Sequence, residues 1–242
     1  MAQINVNFKD FYRLMNRAFW DFFEDKSRVR ISYGGSGSGK SVQAFQEMIY
    51  KMIVEPGHNY LVCRKIAATN KTSTYALLIQ LLNEMKLNTL FSVNKTDQSF
   101  TVKATGYMII LKGLDDVEKI KSFTFPLGIL TDILIEEASE ISQADFDQLN
   151  ARLRGLKRGQ QKDVPFQITM LLNPIFETHW IKVEFIDKKS YQKTFPVTIL
   201  KTTYKDNDFI DDDYKAVLEG YREIDFEFYR VYCLGSGGRS EM

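Results

Sequence analysis

The chain has 242 residues, 44% hydrophobic and 26% charged. That is enough to bury a substantial core without cross-links, and it excludes a disordered or fibrous protein. Lys+Arg 32 against Asp+Glu 31 leaves a formal charge of +1, so any nucleic-acid contact must come from a local patch rather than a global field. Widely separated Cys63 and Cys233, with His58 and His179 as the only histidines, exclude a disulfide framework, a cysteine-rich zinc site and an HExxH motif.

Residues 8–23 place Phe8, Phe11, Leu14, Met15, Ala18, Phe19, Phe22 and Phe23 at spacings of three and four. This predicts one amphipathic helix capped by Asn7. Arg28–Tyr33 alternates as a strand and runs into Gly34-Gly35-Ser36-Gly37-Ser38-Gly39-Lys40-Ser41. A helical stripe follows, from Val42 to Ile53, and Pro56-Gly57 stops it. Tyr60–Cys63 reads as a strand, and Tyr75–Met85 as a helix. Residues 91–93, 100–102 and 107–111 read as short antiparallel or edge strands. Asp132–Glu137 is an apolar strand ending in two acids, and Phe166–Leu172 is a last apolar strand ending at Asn173-Pro174. Strands alternating with helices predict a mostly parallel α/β sheet covered on both faces. No apolar run approaches the ~20 residues of a membrane span, and the polar N-terminus is unlike a signal peptide, so a soluble intracellular protein is expected.

Gly34-x4-Gly39-Lys40-Ser41 is the phosphate-loop pattern, and it stands between a strand and an amphipathic helix as that motif requires. Its glycines let backbone N–H groups curl around phosphates, and the following helix adds its dipole. Lys40 would reach the β- and γ-phosphates of ATP, and Ser41 would ligate Mg²⁺. Of the two acids, Glu136 would orient Mg²⁺ and Glu137 would polarise the attacking water. Asn173 can hydrogen-bond the γ-phosphate or that water, or simply open an Asn-Pro turn. Transition-state charge calls for a further cation, for which Arg64 is the first candidate and Lys119 and Lys121 the second. Arg152, Arg154, Lys157, Arg158 and Lys162 fall in an acid-free stretch with Gly155 and Gly159, which reads either as a solvated loop or as a mobile grip on a phosphate backbone.

These residues, in this order, resemble the ATPase domain of the large terminase subunit of tailed bacteriophages. The likeness runs from about Tyr33 to Leu234. It is carried by the phosphate loop, Cys63-Arg64-Lys65, Gly113-Leu114-Asp115-Asp116, Ile135-Glu136-Glu137-Ala138, Leu172-Asn173-Pro174 and Thr202-Thr203-Tyr204-Lys205-Asp206-Asn207. No motif after the phosphate loop is specific alone; order and spacing together are. The resemblance implies a RecA- or helicase-like core over 1–200, led by an N-terminal helix within 1–27. A small lid over 201–234 and a flexible tail over 235–242 would follow.

It also implies Mg²⁺-dependent ATP hydrolysis driving double-stranded DNA into a procapsid, with the portal protein and small terminase subunit as partners. A homo-oligomeric ring is expected in action and a monomer in isolation, in the host cytoplasm. Asn173 matches the motif that couples hydrolysis to movement. Two departures stand out. Ser36 occupies a position where many relatives carry Arg, and no ribonuclease-H-like segment follows residue 234, so no nuclease activity is expected. The competing readings are another nucleic-acid motor, such as a helicase or recombination ATPase, and a nucleotide-binding assembly module that does not hydrolyse.

Overall fold

Side chains alternate across the central strands, and this period of two sorts them into separate cores on the two faces of a sheet. In a computed structural model that describes residues 8–67, 73–114, 124–155, 164–174 and 177–236, eight strands are present. They are β1 (Val29–Gly34), β2 (Tyr60–Arg64), β3 (Phe91–Asn94), β4 (Ser99–Val102), β5 (Met108–Gly113), β6 (Asp132–Ile135), β7 (Gln167–Leu172) and β8 (Val197–Thr202). Their order is β3-β4-β5-β2-β6-β7-β1-β8. From β5 to β8 all neighbours are parallel, while β3, β4 and β5 pair antiparallel at one edge, as expected.

The helices are α1 (Trp20–Glu24), α2 (Lys40–Val54), α3 (Tyr75–Glu84), α4 (Gln143–Arg152), α5 (Asp212–Ile224) and α6 (Phe226–Phe228), the last continuing as a π-helical turn over Tyr229–Cys233. Phe45, Met48, Ile49 and Met52 of α2 join Leu78, Leu81 and Leu82 of α3 against Val62, Leu134 and Leu171 on one face. On the other face, Phe146 and Leu149 of α4 pack with Phe185 against Ile31, Leu61, Ile133, Ile135 and Ile168. A smaller cluster of Tyr204, Leu218, Tyr229 and Cys233 holds the C-terminal helices together.

Three expectations are corrected. The N-terminal stripe is not one helix. It forms a 3-10 turn over Phe8–Leu14, a second over Arg17–Phe19, and then α1. The break is at Asn16, which is extended (φ −62°, ψ 132°) and buried, with its polar groups engaged by Gln43 and Asp208. Tertiary hydrogen bonds override the helical period there, although Phe11, Met15, Phe19, Phe22 and Phe23 are buried as the stripe predicts. Asn7 lies outside the described residues.

Second, β7 is not the last strand: β8 follows and pairs parallel with β1, Gly34 opposite Thr202. The expected division at 200/201 therefore falls inside a strand. Third, Arg152 is not on a loop but ends α4, which starts with a full capping box between Ser142 and Asp145.

A buried ionic chain fastens the first strand to its helix. Arg30 and Lys51 each place a nitrogen 2.7 Å from Glu47 Oε1, and Arg30 also donates to the Phe22 carbonyl at 2.6 Å. All three charged side chains are almost fully buried, so each requires the others.

Candidate active site

The carboxyl ends of β1, β6 and β7 meet at one cleft of about 410 Å³, the place where open parallel sheets bind ligands. Its lining includes residues 36–42 of the phosphate loop and α2, Glu136 and Glu137 after β6, and Asn173 after β7. The structure brings these groups to one place, while Gly34 and Gly35 stay outside its lining.

The loop is held in its curl by its own lysine. Lys40 Nζ donates to the carbonyls of Gly34 (2.9 Å) and Gly35 (3.0 Å) and to Ser38 Oγ (3.0 Å). Burial lowers the Lys40 pKa to about 8, with the charges of Glu137 and Glu136 acting in the opposite direction. Gly37 (φ +73°) and Gly39 (φ +82°) adopt left-handed backbone that disfavours other residues.

Gly34 and Gly35 have a different reason to be glycine. A Cβ on Gly34 would lie 1.7 Å from the Thr202 carbonyl oxygen, and one on Gly35 2.2 Å from that of Cys233. Neither lines the cleft; both let the C-terminal segment press onto the loop. There the Ser36 N–H donates to the Tyr232 carbonyl at 2.7 Å, and Ser36 Oγ pairs with Tyr214 Oη at 2.7 Å.

Glu136 is buried at the end of β6, and its own N–H continues the ladder to the Cys63 carbonyl at 2.9 Å. Burial raises its pKa, while a hydrogen bond from the Ser41 hydroxyl lowers it and the Glu137 charge raises it further. Glu137 takes left-handed backbone (φ 51°, ψ 51°), costly for a non-glycine residue and of the kind stored at functional sites. Its carboxylate accepts from Asn173 Nδ2, at 3.2 Å to Oε2 and 3.4 Å to Oε1.

Ser41 and Glu136 fit a hard divalent cation. A hydroxyl already bonded to a desolvated carboxylate beside a phosphate loop is an oxygen-only donor pair. Among the described residues no cluster of three His, Cys, Asp or Glu stands ready to cage a metal. An oxygen-only pair of this kind would suit a cation such as Mg²⁺, which takes most of its ligands from water and phosphate oxygens.

Not every candidate arrives at the cleft. Arg64, at the end of β2, donates to Ser73 Oγ at 3.0 Å and lies 3.7 Å from Glu140 Oε1. It does not line the cleft, and its charge acts on Glu136 to favour the ionised carboxylate. Arg154 stands two residues past α4. Lys119, Lys121, Lys157, Arg158 and Lys162 lie outside the described residues. Two residues at the loop went unpredicted as site members: Asn207, which lines the cleft, and Asn16, which covers Gly39. Asn207 had a signal in Thr202–Asn207; Asn16 had none, being embedded in an apolar stripe.

With β7 inserted between the loop strand and the acid-bearing strand, the chain is a RecA-like phosphate-loop NTPase fold, a mixed α/β sheet flanked by helices. It belongs to the phage terminase large subunit family, whose model matches residues 26–236. It is 26% identical over 256 aligned positions to the PBSX phage terminase large subunit of Bacillus subtilis (strain 168), covering 98% of this chain and 53% of that one. Among solved structures, the large terminase of a thermophilic bacteriophage superposes with a TM-score of 0.67 at 21% identity, over 94% of this chain and 52% of its own. That terminase has also been solved with ADP and with ATP-γ-S. The ATPase domain of the Thermus phage P74-26 large terminase gives 0.64 at 12% identity, over 96% and 97%. The chain thus spans about half the length of the PBSX relative and nearly all of an isolated ATPase domain. Among the described residues no helix is long and apolar enough to cross a membrane.

Proposed function

We propose that this chain hydrolyses ATP with Mg²⁺ and uses the cycle to move double-stranded DNA into a phage procapsid. The observation that carries the reading is one cleft in which Lys40 and Ser41 face Glu136, Glu137 and Asn173. Family membership and the nucleotide complexes of a related terminase support it.

Lys40 would exchange its loop carbonyls for β- and γ-phosphate oxygens, and its charge would offset that developing in transfer. Ser41 and Glu136 would hold Mg²⁺, which supplies charge neutralisation between the phosphates when bound. Glu137 would take the proton of the attacking water, and Asn173 sets the direction of its carboxylate. Arg64 would tune Glu136 from a distance rather than touch phosphate. Residues 201–234 would act as a lid on the loop. Arg152, Arg154, Lys157, Arg158 and Lys162 would contribute a sequence-independent grip on DNA. The portal protein, the small terminase subunit and a ring of copies of this chain are the partners that this role requires. The host cytoplasm is the place where it acts.

Phosphate release from Mg-ATP, measured with and without double-stranded DNA and against a Lys40→Ala control, tests the reading. A rate per chain that rises with protein concentration and with duplex DNA is expected, because motors of this kind often need a neighbour's arginine. Stimulation by single strands with strand separation would favour a helicase. Nucleotide binding without release would favour an assembly module.

A further inference from the structure

Two asparagines, from opposite ends of the chain, hold the phosphate loop. Thr203 and Asp206 form a capping box after β8, and Asn207 follows directly. Asn207 Nδ2 donates to the Gly37 carbonyl at 2.8 Å, while its Oδ1 accepts the Phe209 N–H at 3.0 Å. Asn16 Oδ1 accepts the Asp208 N–H at 2.8 Å, and the Asn16 N–H donates to Gln43 Oε1 at 3.3 Å. A Cβ on Gly39 would lie 2.7 Å from Asn16 Nδ2 and 3.6 Å from the Asn207 amide, so both side chains rest on the loop's last glycine.

We infer that Asn207 is a positioning residue for nucleotide binding: its amide fixes the Gly37–Ser38 peptide and so sets the affinity of the loop for phosphate. The inference rests on the nucleotide reading above and names a residue through which it works. In a trans peptide the carbonyl and the following N–H point to opposite sides, so anchoring the Gly37 carbonyl also fixes the direction of the Ser38 N–H. Gly37, at φ +73°, has neither a Cβ nor a preferred basin to prevent that peptide from turning over. A hydrogen bond from outside the loop removes this freedom before phosphate arrives, and a preorganised donor binds more tightly than one that must be ordered on binding. The capping box and the Phe209 bond hold the amide still, and Asn16 buttresses the same turn through Asp208. The Asn207 side chain therefore joins the C-terminal segment to phosphate affinity through one peptide plane.

Binding of a fluorescent ADP to the full chain, with melting temperature measured without nucleotide, tests this. Asn207→Ala should raise Kd roughly three- to ten-fold, the worth of one ordinary hydrogen bond, with the melting temperature nearly unchanged. Asn207→Asp keeps the acceptor for Phe209 but loses the donor to Gly37, and should raise Kd at least as much. It carries the test alone should the alanine variant not fold. A role confined to holding the C-terminal segment predicts the reverse, a lower melting temperature with unchanged Kd, and that result overturns the inference. Wild-type protein that binds ADP, with both variants binding equally well, also overturns it while leaving the nucleotide reading intact. Wild-type protein that binds no nucleotide overturns the reading and this inference together.

Discussion

Asn173 donates one side-chain amide to both carboxylate oxygens of Glu137, at 3.2 and 3.4 Å, joining the ends of two adjacent parallel strands. Because β7 lies between β6 and β1, this amide stands between the paired acids and the phosphate loop. The Glu137 carboxylate is therefore aimed by a neighbour that itself lines the cleft, and its backbone is strained to reach that position.

Removing the base while keeping its shape should separate chemistry from binding. Glu137→Gln is expected to bind nucleotide as the wild type does and to hydrolyse it about 10²- to 10⁴-fold more slowly. Phosphate release at saturating Mg-ATP measures this, and an unchanged rate would refute the role given to Glu137.

Losing the amide that aims Glu137 should slow chemistry more than it weakens binding. Asn173→Ala removes the donor to the Glu137 carboxylate, and Asn173→Asp puts an acceptor-only carboxylate in its place. Both should lower phosphate release at saturating Mg-ATP, the aspartate variant at least as much as the alanine one. An unchanged rate in both would refute the role given to Asn173.

Lys40, with a pKa near 8 in the free chain, ties nucleotide affinity to pH. Phosphate favours the ammonium and raises its pKa, so binding takes up a proton wherever free Lys40 is partly neutral. Affinity should hold below pH 8 and fall above it, by up to about ten-fold per pH unit. Calorimetric titration with ADP at pH 8.5, in two buffers of different ionisation enthalpy, should show the proton uptake. No uptake would mean that Lys40 is fully charged before binding.

The other end of the sheet has its own pH dependence. His58 is buried, with Nδ1 2.6 Å from Asp132 Oδ2 and Nε2 3.6 Å from Glu55 Oε2. Burial alone would depress its pKa, but the Asp132 charge and hydrogen bond, with Glu55, outweigh that and push it up to about 9. A folded pKa above the unfolded 6.5 means that the stabilisation is complete below about pH 6.5 and is lost as pH rises through 9. The amount is about 3 kcal/mol. Denaturant unfolding at pH 6 and at pH 9 should show this loss in the wild type, and a much smaller one in His58→Gln.

Gly35→Ala tests the close contact between the loop and the C-terminal segment. Its Cβ would fall 2.2 Å from the Cys233 carbonyl oxygen, so backbone has to move. A loss of about 1–3 kcal/mol is expected, with faster proteolysis after residue 228. An unchanged melting temperature would mean that the segment is free to shift.

Much of the architecture was legible because it is written in local periods. Alternation in β1, the short apolar runs of β2, β6 and β7, the helical stripe of α2 and the glycine pattern before Lys40 each depend on residues a few positions apart, and they led to the correct α/β class. The paired acids were legible because a buried strand that ends in charge must open into a polar space. The antiparallel edge was legible from its short strands and polar turns.

What the chain pattern could not supply were relations between distant residues. β8 carries only a weak strand signal in Val197–Thr202, and its place is decided by pairing with β1. Asn16 breaks an otherwise helical stripe because Gln43 and Asp208 satisfy its polar groups better than helix geometry would. Arg64, a free cation on paper, is occupied by Ser73 and Glu140 once β2 and β6 are side by side. Local pattern alone shows a phosphate loop and two acids and names the elements they ride on. That Asn173 aims Glu137 and Asn207 holds Gly37 follows only from the folded chain, because hydrogen bonds between residues far apart in the chain depend on strand order, which no local period encodes.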